Sequence, residues 1–154
     1  MGVKPMIALG CDHGGYNLIC AIKKYLDEKG IEYKDFGTYG TESVDYPLYA
    51  YKVATAVANG ECDKGILCCG TGIGISIAAN KVKGIRAAVV SNEFSAEMTR
   101  RHNHSNILCM GGRISTEEEA VKYTDIFLNT PEEDGRHENR LAMIDQIENN
   151  TFTE

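Results

Sequence analysis

The chain has 154 residues, 43% of them hydrophobic and 25% charged, with a formal net charge of -6 at pH 7. That is one domain's length with enough apolar content for a core, which excludes a disordered chain. An acidic surface repels polyanions, which argues against nucleic acid as a partner; a small anionic ligand fits only where the few arginines gather.

Strand and helix alternate along the whole chain. Residues 6–9 are a short buried-strand run ending at Gly10. Residues 16–29 have helical spacing, with Leu18, Ile19, Ile22 and Leu26 on one face, and Gly30 stands where a C-terminal cap belongs. Residues 31–36 alternate like an edge strand. Residues 47–59 read as a helix that starts near a proline and stops at Gly60. Residues 65–69 are a central strand, followed by a glycine loop at 70–74 and a helix at 75–82. A strand at 85–91, a helix at 94–102 and a fifth strand at 106–110 come next. Residues 116–128 form a helix whose first turn holds Glu117, Glu118 and Glu119, which suits the helix dipole. Residues 136–149 are a last helix with an apolar stripe of Leu141, Ile144 and Ile147.

No repeat, linker or low-complexity tract interrupts the pattern, so residues 1–154 read as a single domain. Strands alternating with helices predict an α/β fold: a doubly wound, Rossmann- or flavodoxin-like sheet of five parallel strands in the order 2-1-3-4-5, with helices on both faces and a C-terminal helix. Ligands of such sheets sit at the carboxyl ends of the strands where the order reverses, here between the first and third. Those ends carry Asp12-His13-Gly14-Gly15 and Cys69-Gly70-Thr71-Gly72, so the two polar, glycine-rich turns are expected to face each other.

Residues 1–6 have no basic segment leading into a long apolar one, unlike a secretory signal. No apolar run approaches the roughly 20 residues that span a bilayer. A cytoplasmic protein with no membrane partner is expected, and its six cysteines are expected to be reduced. There is no CxxC pair and no zinc-ribbon spacing, so no metal site is called for, and each cysteine reads first as a small buried hydrophobe.

Cys69 is the candidate exception. In Gly70-Thr71-Gly72-Ile73-Gly74, glycines let successive backbone N–H groups converge just before a helix. That makes a nest for an anion or a developing oxyanion, or else only a tight strand-to-helix turn. The dinucleotide fingerprint fails, because Ile75 stands where its last glycine belongs, and no Walker A motif occurs. Cys69 immediately precedes the nest, where a thiolate is favoured and can serve as nucleophile or base. Cys68 is its neighbour along the strand and should point to the other face, into the core. Arg136 and Arg140 are one helical turn apart, either two solvated side chains or a clamp for an anion. His102 ends a helix, where a histidine is a dipole partner or a catalyst.

Taken together, Gly10-Cys11-Asp12-His13-Gly14-Gly15, Asp45-Tyr46-Pro47, the run from Cys69 through Gly70, Thr71, Gly72 and Gly74 to Lys81, Arg101-His102-Asn103 and Gly135-Arg136-His137 resemble type B ribose-5-phosphate isomerase. The resemblance runs nearly end to end and in order, and its glycine segment is highly specific. Sister branches act on galactose 6-phosphate and allose 6-phosphate, and the motifs do not separate them. One branch lacks the cysteine and uses a glutamate at the position matching Ile75; with Cys69 and Ile75, this chain resembles the cysteine users.

The resemblance implies an aldose–ketose isomerase of the non-oxidative pentose phosphate pathway that needs no cofactor and no metal. It implies that Cys69 moves a proton between C2 and C1 of the sugar, with Thr71 assisting, and that the amides of Gly70, Gly72 and Gly74 stabilise the enediolate. It implies that His102 opens the furanose ring, that Asp12, Tyr46 and Asn103 contact the sugar, and that His13, Arg113, Arg136 and Arg140 contact the phosphate. Members are dimers or tetramers whose active sites are shared across a subunit interface, and residues 137–150 are the helix expected to pack on a partner. A nucleotide- or flavin-binding module and a catalytically dead subunit are the rival readings; the broken fingerprint opposes the first, and the intact Cys69, His102 and arginine set opposes the second.

Overall fold

The structure is a computed structural model and describes residues 5–154. The reading of the chain's start therefore lies outside the described residues, apart from its last two positions. Eleven elements follow one another: β1 (Met6–Cys11), α1 (Tyr16–Lys29), β2 (Glu32–Asp35), α2 (Tyr46–Ala58), β3 (Lys64–Cys69), α3 (Ile73–Ala79), β4 (Ala87–Val89), α4 (Glu93–Asn103), β5 (Ile107–Gly111), α5 (Glu117–Asn129) and α6 (Arg136–Glu148). All five strands are parallel.

Side chains along the central strands alternate between two cores, as a strand period of two requires. Ile7, Leu9 and Cys11 of β1, Ile66 and Cys68 of β3, and Leu108 and Met110 of β5 face one layer, covered by α1 and α5 with Ala96 of α4. Ala8, Leu67, Cys69, Ile107 and Cys109 face the other, covered by α2 and α3. Cys68 and Cys69 thus point to opposite faces, as their adjacency predicts. On the second face the strands are slim: a Cβ added to Gly65 would lie 2.7 Å from Val53 Cγ1, so the missing side chain is what lets α2 approach so closely.

The strand order is β2-β1-β3-β5-β4, which corrects the expected 2-1-3-4-5 at its far end. The reason lies in burial. Every residue of β5 is buried, as an interior strand must be, whereas β4 is three residues long and half exposed. The apolar run at 85–91 looks like an inner strand but forms only Ala87–Val89, and the chain returns to lay β5 beside β3. Asn80 closes the free edge: its side-chain amide donates to Ala87 O at 2.9 Å and accepts from Ala87 N–H at 2.8 Å, in place of a neighbouring strand.

Local signals account for several boundaries. Gly30 caps α1 in the left-handed conformation (φ 67°). Thr116 and Glu119 form a reciprocal capping box on α5. α6 packs on α4, and its end is tied down by Arg86–Asp145 at 3.4 Å and by the Gly84 N–H on Glu148 at 3.2 Å. Of the apolar stripe on α6, Leu141 is buried within the chain, while Ile144 and Ile147 are exposed. Among the described residues no helix is long and apolar enough to cross a membrane.

Candidate active site

Three turns meet at the carboxyl ends of β1, β3 and β5. After β1, the Asp12 N–H donates to Cys68 O at 3.2 Å and its carboxylate accepts the Gly14 N–H at 2.8 Å. A Cβ on Gly15 would fall 2.3 Å from the Cys68 carbonyl, so the turn lies flat against β3 only because Gly15 has none. After β5, the Gly112 N–H donates to Cys69 O at 2.8 Å and the Arg113 N–H to Gly70 O at 2.9 Å. The two glycine turns face each other, as the sequence predicts, and β5 supplies a third wall.

Cys69 ends β3 and is 5% exposed. Its Sγ accepts the Gly72 N–H at 3.1 Å, and Thr71 Oγ1 accepts the Ile73 N–H at 3.2 Å. Gly72 takes a left-handed backbone (φ 83°) and α3 begins at Ile73, two residues earlier than expected, which brings the helix N-terminus up to the thiol. Burial pushes the Cys68 and Cys109 thiols well up and Cys11 up to about 12, as expected of cysteines that serve as core.

Two side chains flank the loop. The Arg113 guanidinium lies over Gly70, its Nη1 3.4 Å from where a Cβ would stand, and the Tyr46 ring lies over Gly74, 2.7 Å from the same imagined atom. His13 is held by the Val44 N–H, which donates to its Nδ1 at 3.2 Å. That contact ties the segment before α2 to the β1 turn, and nothing in the residue pattern marked Val44 for it. Cys69, Gly70, Thr71, Gly72, Gly74, Asp12, His13, Tyr46 and Arg113 therefore gather at one place.

The remaining expected residues gather elsewhere. α4 runs back to the amino ends of the strands, where Arg100 Nη1 donates to Ser105 O at 2.7 Å and the Gly65 N–H donates to Asn106 O at 2.9 Å. His102 and Asn103 end this helix. Glu133 and α6 start beside it: the Glu133 N–H donates to Arg101 O at 3.1 Å, and His137 stacks on His102 with ring centroids 4.2 Å apart. Arg136 and Arg140 flank His137 on α6. From Gly65 to Cys69 the strand rises about 13 Å, so within one chain His102, Asn103, Arg136 and Arg140 lie at the opposite end of the sheet from Cys69.

The arginines sort in a telling way. Arg86, Arg100 and Arg101 each pair with a carboxylate within 4.0 Å. Among the described residues Arg113, Arg136 and Arg140 make no such pair, although the chain holds 22 acidic residues. All three are exposed, with guanidinium forks free for an anion.

The sequence pattern of the Ribose/Galactose Isomerase family matches residues 7–144. The chain belongs to that family. It is 51% identical over 142 residues to ribose-5-phosphate isomerase B of Escherichia coli (strain K12), covering 92% of this chain and 95% of the relative. It is 50% identical over 143 residues to the putative sugar phosphate isomerase YwlF of Bacillus subtilis (strain 168), covering 92% and 96%. Among solved structures, ribose-5-phosphate isomerase B of Clostridium thermocellum superposes with a TM-score of 0.93 at 52% identity, covering 94% of this chain and 98% of that one. The Mycoplasma genitalium enzyme, solved with bound ribulose 5-phosphate, superposes with a TM-score of 0.90 at 39% identity, covering 96% and 99%.

Proposed function

We propose that the chain interconverts D-ribose 5-phosphate and D-ribulose 5-phosphate through an enediolate, with Cys69 as the base, in the cytoplasmic pentose phosphate pathway. The observation that carries the chemistry is the thiol of Cys69 set in the Gly70–Gly74 nest, with the Gly72 N–H on its sulfur. As thiolate, Cys69 takes the C2 proton of the open-chain aldose. The electron pair moves to the C1 carbonyl oxygen, where the loop amides stabilise the developing charge. Thr71 passes a proton between O2 and O1 as the C2 carbonyl forms, and Cys69 returns its proton to C1. Asp12, Tyr46 and Asn103 hold the sugar.

The active site is proposed to be assembled from two copies of the chain, and the separation of the two clusters supports this. Cys69 of one copy would work with His102 of a second, which protonates the furanose ring oxygen as its bond to C1 breaks, while the anomeric hydroxyl gives up its proton to solvent and becomes the C1 aldehyde. Arg113, Arg136, Arg140 and His13 bind the phosphate, and the three unpaired arginines suit a dianion by charge and fork geometry. An apolar rim of exposed Ile73, Ile77, Phe94 and Ile114 near the Cys69 end fits a covered surface, with Ile144 and Ile147 of α6 as a further patch.

The test is incubation with ribose 5-phosphate in deuterated water with a chelator present, followed by proton NMR. Ribulose 5-phosphate carrying solvent deuterium is the expected product. Conversion without deuterium would still show an isomerase, but would point to a shielded proton or a hydride shift and weaken the base role of Cys69. No conversion, with turnover of allose or galactose 6-phosphate instead, would move the chain to a sister branch.

A further inference from the structure

His102 does not stand alone at the end of α4. The His137 imidazole, from the first turn of α6, lies face to face with it, ring centroids 4.2 Å apart and planes inclined by only 13°. His137 is 6% exposed, so it is held from behind while offering one flat face. The holding group is Glu133, with Oε1 3.8 Å from His137 Nε2. Glu133 is itself fixed on three sides: its N–H donates to Arg101 O, its carbonyl pairs with His104 Nε2 at 2.7 Å, and its carboxylate accepts from Arg101 Nη1 at 3.5 Å.

His102, Glu133 and His137 each have a ligand atom within 4.8 Å of the others, which raises the question of a metal site. The ring planes answer it. An imidazole lone pair lies in the plane of its ring, and two nearly parallel stacked rings cannot both direct a lone pair at one ion. The arrangement is a stack and not a chelate.

Charge agrees with stacking. The groups around His137 are His102 and Arg101 from α4, Arg136 and Arg140 from its own helix, and His104, Glu132 and Glu133 from the connecting segments. Burial, then His102 and Arg136, lowers the His137 pKa below the ordinary histidine value, against the opposing pull of Glu133. A neutral flat ring gives dispersion and π contact without like-charge repulsion towards a neighbour that exchanges protons.

We propose that His137 is a positioning residue for His102: its imidazole fixes the plane of the His102 ring for proton transfer to the furanose oxygen. The inference rests on the reading of His102 as the ring-opening group. Ring opening needs the acid aligned with one oxygen lone pair, and a side chain free to rotate at a helix end would satisfy that only part of the time.

Two assays on the full-length protein separate this step from enolisation. Ribulose 5-phosphate cannot close to a furanose, because its 5-hydroxyl is esterified, so exchange of its C1 hydrogen with deuterated water requires Cys69 chemistry but no ring opening. Conversion of cyclic ribose 5-phosphate requires both. For His137→Ala we expect kcat from ribose 5-phosphate to fall roughly 10- to 100-fold, KM to change by less than about threefold, and C1 exchange to stay within about twofold of the parent. His137→Phe, which keeps a flat stacking face but no ring nitrogen, should recover most of the loss. The proposal is overturned if His137→Ala converts ribose 5-phosphate like the parent, if exchange falls in step with conversion, or if His137→Phe is as poor as His137→Ala. A parent protein that performs neither reaction would overturn the isomerase reading itself, a distinct outcome.

Discussion

Cys69 Sγ and the Gly72 backbone N–H lie 3.1 Å apart, so the turn between them closes on the sulfur and not on a carbonyl. That geometry orients the sulfur inside the glycine nest, where the proposed base must stand. Cys69→Ala is therefore expected to lower isomerisation and C1 exchange by about 10²- to 10⁴-fold while leaving the melting temperature nearly unchanged. Cys68→Ala should do the reverse, because Cys68 is wholly buried on the other face: stability falls by about 1 kcal/mol and kcat holds. Thermal denaturation alongside steady-state kinetics checks both.

A site assembled from two copies predicts complementation. Cys69→Ala and His102→Ala homodimers should each be nearly inactive. Co-expression should restore activity, because a mixed dimer regains one site with both residues intact. If Cys69 and His102 of the same chain worked together, every site in the mixture would stay defective and no activity would return.

The unpaired arginines should behave unlike the paired ones. Removing Arg113 or Arg136 by Ala substitution should cost roughly 1.5–3 kcal/mol of phosphate interaction, a ten- to hundredfold loss in kcat/KM, with stability unchanged because neither holds a protein carboxylate. Arg100 is 6% exposed, donates to Ser105 O and lies over the Phe127 ring, its guanidinium carbon 5.6 Å from the centroid. Arg100→Ala should instead lower the melting temperature and leave KM alone. Inhibition by inorganic phosphate should weaken for the first pair only.

The α5 capping box gives a pH signature. The Thr116 N–H donates to Glu119 Oε1 at 2.8 Å and holds that carboxyl below the usual carboxylate range. A depressed folded-state value stabilises the protein above the unfolded value, about 4.3, and that stability is lost as pH falls through the folded value. Glu119→Gln should thus melt below the parent at pH 7, and the gap should close as the pH drops well under 4. A gap independent of pH would mean that the carboxylate charge contributes nothing at this cap.

Much of this was legible in the residues because the signals are local. Helix faces such as Leu18, Ile19, Ile22 and Leu26, the cap at Gly30, and the opposite facing of Cys68 and Cys69 follow from periods of 3.6 and 2 acting on a dozen residues at a time. The order of β4 and β5 was not legible in this way. Both read as apolar runs, and which becomes the edge depends on total burial once every helix has docked. His137 was visible as a motif neighbour, but its stack on His102 joins residues 35 positions apart and exists only because α6 folds back on α4.

The sequence by itself determined the local pieces: a cysteine ahead of a glycine nest, facing the Asp12–Gly15 turn, a histidine at a helix end, and two arginines one helical turn apart. Residue type and short spacing suffice for that, since each piece is built by one turn or one helix end; that Tyr46 and Arg113 join the Cys69 loop was only what the family resemblance implied. Only the tertiary structure decided that the cysteine and histidine pieces lie at opposite ends of one sheet. The direction of α4 across the sheet is a property of the packed whole: a right-handed crossover must carry the chain back to the amino ends before β5 can begin.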